Sequence, residues 1–139
     1  MKLIKNSIVA LFITCSFCGF IIPTSPRDVE VAERIKASIR TGNAESLSDH
    51  FEKNLELVID TEKVSFRSVR QDQAKVILKT FFKKHPAKDF RYVFQGTASK
   101  VRYCTATFQD ITGGTFQVYI LMRITEKNYL INTLHFKKE

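Results

Sequence analysis

FQVYILMRI, residues 116–124, is the stretch that decides the fold. Phe116, Val118, Ile120, Met122 and Ile124 recur at every second position, with Gln117, Tyr119, Leu121 and Arg123 between them. Successive side chains of a strand point to opposite faces, so this spacing gathers five apolar residues on one face. The flanking stretches continue the pattern: Val101 to Gln109 precedes it and Tyr129 to Phe136 follows. Asp110-Ile111-Thr112-Gly113-Gly114 reads as a hairpin loop, and Glu126-Lys127-Asn128 as a second turn. Phe90, Tyr92 and Phe94 alternate in the same way until Gln95-Gly96. Connections of hairpin length make neighbouring strands antiparallel, and a sheet with one apolar face must bury it under helices.

The cover lies upstream. Ser25-Pro26 opens a first helix, with Asp28 and Glu30 in its positive first turn. Ala32, Ile35 and Ile39 repeat at helical spacing to Thr41, Arg34, Lys36 and Arg40 lie off that stripe, and Gly42 supplies the stop. Asn43 caps a second, shorter helix that carries Ala44, Leu47 and Phe51 on one face. Leu55 to Ile59 alternates as a strand, and Thr61 to Arg67 offers another through Val64 and Phe66. Ser68 with Gln71 forms a capping box for a third helix, whose stripe is Ala74, Ile77, Leu78, Phe81 and Phe82. Lys75, Lys79 and Lys83 line its opposite side and Pro86 ends it. The expected class is α+β, with three N-terminal helices packed on an antiparallel sheet of four to five strands.

Lys2 and Lys5 precede an uncharged, mostly apolar run from Ile8 to Ile22, too short for the roughly 20 residues of a spanning helix. The reading is a signal peptide over 1–25, cleaved between Cys18 and Ser25, and a domain over 26–139. The protein is therefore expected to be exported, periplasmic or extracellular, with no transmembrane span after cleavage. A lipid anchor ranks second, because neither Cys15 nor Cys18 follows a good small-residue box, and an uncleaved anchor ranks third. Cys15-Ser16-Phe17-Cys18 has a redox or zinc spacing but lies inside the signal, which makes it a false match. Cys104 is then the lone cysteine of the domain, read as a buried small hydrophobe.

Hydrophobic residues make up 44% of the chain and phenylalanine alone contributes 12 positions, enough for a sizeable core. The net charge is +8, of which Lys2 and Lys5 supply two. The remaining basic residues are scattered among carboxylates, so a solvated surface is expected and nucleic acid is not. An anionic envelope component is the functional alternative.

The stretches Gly42-Asn43-Ala44 with Leu47 and Phe51, Ala74 with Ile77-Leu78-Lys79 and Phe81-Phe82, Phe90 with Gln95-Gly96, Gly114-Thr115-Phe116 with Val118-Tyr119, and Tyr129-Leu130-Ile131 with Leu134 and Phe136 carry a resemblance. In them the chain resembles the nuclear transport factor 2-like, or cystatin-like, superfamily, and more narrowly a family of small secreted Bacteroidetes-type proteins of unknown function. The resemblance implies a curved antiparallel sheet wrapped around a long N-terminal helix to make a cone. These are packing and turn residues, and the fold hosts enzymes, binders and assembly modules alike.

Enzymes of this superfamily abstract protons with a carboxylate or imidazole inside the cone, facing a hydrogen-bond donor. Between Ser99 and Lys127 the acids are Asp110, in the hairpin loop, and Glu126, at the next turn. Asp49 and His50 are adjacent on the second helix, where neighbours point about 100° apart, so a solvated pair is the simpler reading. His50, His85 and His135 are too far apart in sequence for a metal motif, and Gly113-Gly114 joins strands rather than cradling phosphate. No cofactor, metal or catalytic residue is assigned. The reading is an exported, non-catalytic binding or interaction module for a small apolar ligand or a protein partner; the alternative is a small isomerase- or hydrolase-type enzyme using the cone. The outward residues Gln117, Tyr119, Leu121 and Arg123 are the candidate partner-binding set, with a homodimer through that sheet face.

Overall fold

Among the described residues two helices come first, α1 (Pro26–Arg40) and α2 (Ala44–Ser48), followed by strands β1 (Phe51–Ile59) and β2 (Val64–Arg70) joined through a 3-10 turn at Asp60–Glu62. Helix α3 (Gln71–Lys84) precedes β3 (Ala87–Ala98), β4 (Val101–Asp110), β5 (Thr115–Thr125) and β6 (Asn128–Lys138). The computed structural model describes residues 26–126 and 128–139; the signal segment assigned to 1–25, with Cys15 and Cys18, lies outside the described residues. Among the described residues no helix is long and apolar enough to cross a membrane.

The sheet has six strands in the order β2-β1-β6-β5-β4-β3, not four to five. Nor is it wholly antiparallel. The β1 strand pairs with β6 in parallel, through Leu57 opposite Leu134 and Ile59 opposite Phe136. Hairpin-length connections reveal only pairings between neighbours in sequence, whereas this pair closes across most of the chain. Two boundaries also move. Helix α2 ends at Ser48, so Phe51 begins β1, where it faces Ile131 and is buried. Strand β2 runs through Ser68, which therefore caps nothing; α3 starts from Arg70 with no side-chain cap. Its start is held instead by Gln71, whose Nε2 donates to the Ser48 carbonyl at 2.7 Å, and by the Arg70–Asp72 ion pair at 2.7 Å. At the other end of α2, Asn43 caps as expected, its Oδ1 accepting from the Ser46 N–H at 3.0 Å.

Alternation builds the core. On β4 the buried positions are Arg102, Cys104, Ala106, Phe108 and Asp110, and on β5 they are Phe116, Val118, Ile120 and Met122. Helix α3 lays Ala74, Leu78, Phe81 and Phe82 across this inner face. The Phe81 ring centroid is 4.8 Å from Phe136, 5.4 Å from Phe116 and 5.9 Å from Phe108, within the range of favourable aromatic contact. Helix α1 adds Ile35 and Ile39, and the Tyr92 hydroxyl donates to the Ala32 carbonyl at 2.7 Å, fastening α1 to β3. Cys104 is fully buried, and burial pushes its thiol pKa up to about 11, as suits an inert core residue.

Phe94 does not share the face of Phe90 and Tyr92. A bulge between Tyr92 and Phe94 shifts the register, so Tyr92 opposes Ala106 while Phe94 opposes Thr105. Phe94 is turned to the outer face and is 53% exposed. Beside it the Tyr103 ring lies across Gly96, where a Cβ would come within 2.6 Å of the ring.

Removing the Phe81 ring should leave a void bordered by Phe108, Phe116 and Phe136. Phe81→Ala is expected to lower unfolding free energy by about 4 kcal/mol in a urea titration, whereas the exposed Phe94→Ala should cost less than about 1 kcal/mol.

Candidate functional site

On the inner face of the sheet the strands present aliphatic and aromatic side chains, with few polar groups among them. The Tyr92 phenol is held protonated, its pKa raised foremost by burial, and its proton is donated to Ala32. Arg102 Nη2 donates to Gln95 Oε1 at 2.8 Å. Asp110, expected in the hairpin loop, instead closes β4 at a buried inner position. Its Oδ1 accepts from the Thr112 N–H at 2.9 Å, the Thr112 hydroxyl at 2.7 Å and the Gly114 N–H at 2.7 Å, and its Oδ2 lies 2.9 Å from His85 Nδ1. Burial alone would raise the Asp110 pKa, but the hydrogen bonds from Thr112, His85 and Gly114 outweigh it and bring it down to about 2. An ionised carboxylate with both oxygens occupied is a loop lock, not a base awaiting substrate.

His85 extends that lock. With Nδ1 on Asp110, its Nε2 is 3.8 Å from Glu62 Oε1, and Glu62 Oε2 accepts from Lys84 at 2.7 Å. The 3-10 turn, the end of α3 and the β4–β5 hairpin are thereby joined at one edge. Sequence reasoning set His85 aside; the signal for the pair was the Asp110-x-Thr112 spacing, which suits a carboxylate that folds back on its own loop. Among the described residues no group of three or more His, Cys, Asp or Glu side chains could hold a metal.

Asp49 and His50 follow α2 rather than lying on it, and both line a groove of about 420 Å³ with Arg34, Ser38 and Ser46. Both side chains border the same groove, and the Asp49 charge acts on His50. Burial lowers the His50 pKa, Asp49 opposes that shift and Arg34 reinforces it. The hydroxyls are already engaged: Ser38 Oγ donates to the Arg34 carbonyl at 2.9 Å and lies 2.7 Å from Ser46 Oγ.

The outer face of the sheet is different. Register places Phe94, Thr105, Tyr119, His135 and Val58 in one row across β3, β4, β5, β6 and β1. The next row holds Gly96, Tyr103, Leu121, Thr133 and Glu56. Phe94 and Tyr103 rings are 5.8 Å apart, Tyr119 and His135 rings 5.9 Å apart, and His135 Nε2 is 2.7 Å from Glu56 Oε1. Gln117 and Lys137 flank these rows on one side, Arg123 and Leu130 on the other. A hollow of about 230 Å³ opens beside Tyr119, lined also by Thr105, Gln117, His135 and Lys137.

Of the four residues nominated from sequence, Tyr119 and Leu121 are half-buried in the central rows and Gln117 is exposed at their edge. Arg123 is committed elsewhere: Nε and Nη2 reach Glu52 at 3.1 and 3.0 Å, and Asn132 Nδ2 donates to the same carboxylate at 2.9 Å. Burial would raise the Glu52 pKa, but the Arg123 and Asn132 hydrogen bonds prevail and lower it. Phe94, Tyr103 and His135 were missed, since neither the bulge nor the cross-strand register is written in local alternation.

Residues 32–137 match a family model described as a domain of unknown function, DUF4783. No curated protein matches the chain. A DUF4783 family protein from Bacteroides uniformis is similar at 20% identity over 78% of this chain and 97% of that one, with a TM-score of 0.72. An NTF2-like protein of unknown function from Shewanella baltica is similar at 12% identity over 80% and 90%, TM-score 0.62. A domain of unknown function with a cystatin-like fold from Nostoc punctiforme is similar at 9% identity over 84% and 79%, TM-score 0.66.

The Asp110 lock sets an acid limit. Its folded pKa lies below the ordinary 3.8, so its contribution to stability is present above that value and is lost as pH falls toward about 2. Urea midpoints should drop across that window for the unaltered chain and fall less steeply for Asp110→Asn, which should already be about 2 kcal/mol weaker at neutral pH.

Proposed function

The chain belongs to the DUF4783 family and has the NTF2-like fold, and from this premise we propose that it is a non-catalytic binding module whose contact surface is the outer face of the sheet. The observation that carries the reading is the pair of adjacent rows containing Phe94, Tyr103, Tyr119 and Leu121, flanked by Gln117, Lys137 and Arg123. Interfaces have this anatomy, an aromatic and aliphatic centre inside a polar rim. Single exposed apolar residues are ordinary on monomers; a contiguous set spanning three strands is less so. The filled interior supports the same reading, because Phe81, Phe108, Phe116 and Phe136 take up the space a substrate would need.

The partner we propose is a second copy, with two outer faces packed sheet against sheet. The glutamates of this region stabilise the face rather than repel a partner, since Glu52 is spent on Arg123 and Glu56 on His135. We also propose that the module acts outside the cytoplasm, on the strength of Lys2, Lys5 and the apolar run from Ile8 to Ile22. The groove holding Asp49, His50 and Arg34 supplies the second reading, a small hydrolase.

Sedimentation of the unaltered chain at high micromolar concentration should give a mass above the monomer. Tyr119→Lys combined with Leu121→Glu should weaken association at least about tenfold without moving the urea midpoint. A strictly monomeric unaltered chain would overturn self-association. Ester turnover that is abolished by Asp49→Ala or His50→Ala would favour the hydrolase. Protein recovered from the cell envelope should have lost its N-terminal segment by intact mass; a full-length soluble species in the cytoplasm would count against export.

A further inference from the structure

We propose that the hollow beside Tyr119 binds the ring of a small, hydroxylated carboxylic acid of the hexuronate type. The inference rests on the reading of the outer face as a binding surface and names a ligand class for one part of it.

The hollow is built on the rigid centre of the sheet. Thr105, Tyr119 and His135 occupy consecutive positions of one cross-strand row, and Gln117 and Lys137 are paired in the next row. Side chains anchored on adjacent strands are held in fixed relation by the backbone ladder, which lowers the cost of ordering them around a ligand. At about 230 Å³ the space falls below the roughly 300–1,000 Å³ of sites for drug-sized molecules. A single six-membered ring with its substituents is the appropriate size.

Chemistry narrows the class further. The Tyr119 ring forms one wall and offers an apolar surface to the C–H groups of a saturated ring. The Thr105 hydroxyl, the Gln117 amide and the Tyr119 hydroxyl make no side-chain hydrogen bond to any described residue, so both donors and acceptors are available. Lys137 likewise has no carboxylate partner among the described residues. The nearby carboxylate of Glu56 is taken up by His135 at 2.7 Å. A purely apolar ligand would strand three polar groups on burial, at the cost that attends unsatisfied hydrogen-bonding groups. A bare anion would use Lys137 and leave the aromatic wall uncovered. A neutral sugar would satisfy the hydroxyls and amide and leave the ammonium unpaired. A hydroxylated ring bearing a carboxylate engages all of them, with the carboxylate at Lys137 in a charge-assisted hydrogen bond.

The test is a titration followed by amide chemical shifts, at a protein concentration where sedimentation gives a monomer. Glucuronate, glucose and acetate serve as probes that carry ring and charge, ring alone and charge alone. Glucuronate should saturate shifts confined to β4, β5 and β6, and bind at least about tenfold tighter than either other probe. Lys137→Gln should reduce glucuronate to the level of glucose, and Tyr119→Ala should weaken both, while circular dichroism confirms that the variants are folded. Three results would each overturn the assignment: no saturable shift up to tens of millimolar glucuronate, acetate or glucose equal to glucuronate, or unchanged affinity in both variants. Glucuronate binding by a chain that never self-associates would sink the homodimer alone, and self-association without glucuronate binding would sink the hollow alone.

Discussion

Phe81 is the contact on which the rest of the molecule depends. It sits in the last turn of α3 and meets rings from β4, β5 and β6, so one side chain ties the helix to the sheet. Protein interiors are close-packed, so a change in the volume of one such ring is felt by its neighbours. The consequence is architectural: these ring contacts fix α3 against the inner face of the sheet.

Around that apolar centre, carboxylates hold the margins. Asp110 secures the β4–β5 hairpin to the end of α3 through His85, Glu52 joins β1 to β5 and β6 through Arg123 and Asn132, and Glu56 joins β1 to β6 through His135. Asp60 accepts from the Lys138 N–H, fastening the 3-10 turn to the last strand. Each tie reaches across a strand boundary that no local turn could close. Groups that resemble catalytic or interface side chains in a residue inventory are here spent on geometry, and Arg123 is the clearest example.

The outer face carries Phe94, Tyr103, Tyr119 and Leu121, none of them part of these ties. The bulge in β3 contributes by turning Phe94 out beside Tyr103, and the missing Cβ at Gly96 leaves room for the Tyr103 ring. The same rows then pass from aromatic surface near β3 to the polar hollow near β6. The proposed partner contact and the proposed ligand hollow share Tyr119.

Much of the architecture was legible in the chain. The alternation from Phe116 to Ile124, the stripe of α3 and the cap at Asn43 are local signals, set by residues a few positions apart, and the α+β class followed from them; the NTF2-like resemblance rested on matching stretches between Gly42 and Phe136. The inward set of β5 and the burial of Cys104 were readable for the same reason. The parallel pairing of β1 with β6, the bulge at Tyr92–Phe94, the partners of Asp110 and Glu52 and the rows that bring Phe94, Tyr103, Tyr119 and His135 onto one surface were not. Periodicity states which face a side chain takes within its own strand. Which residue stands beside it on the next strand is decided by register, and register is settled only when the whole sheet closes over Phe81.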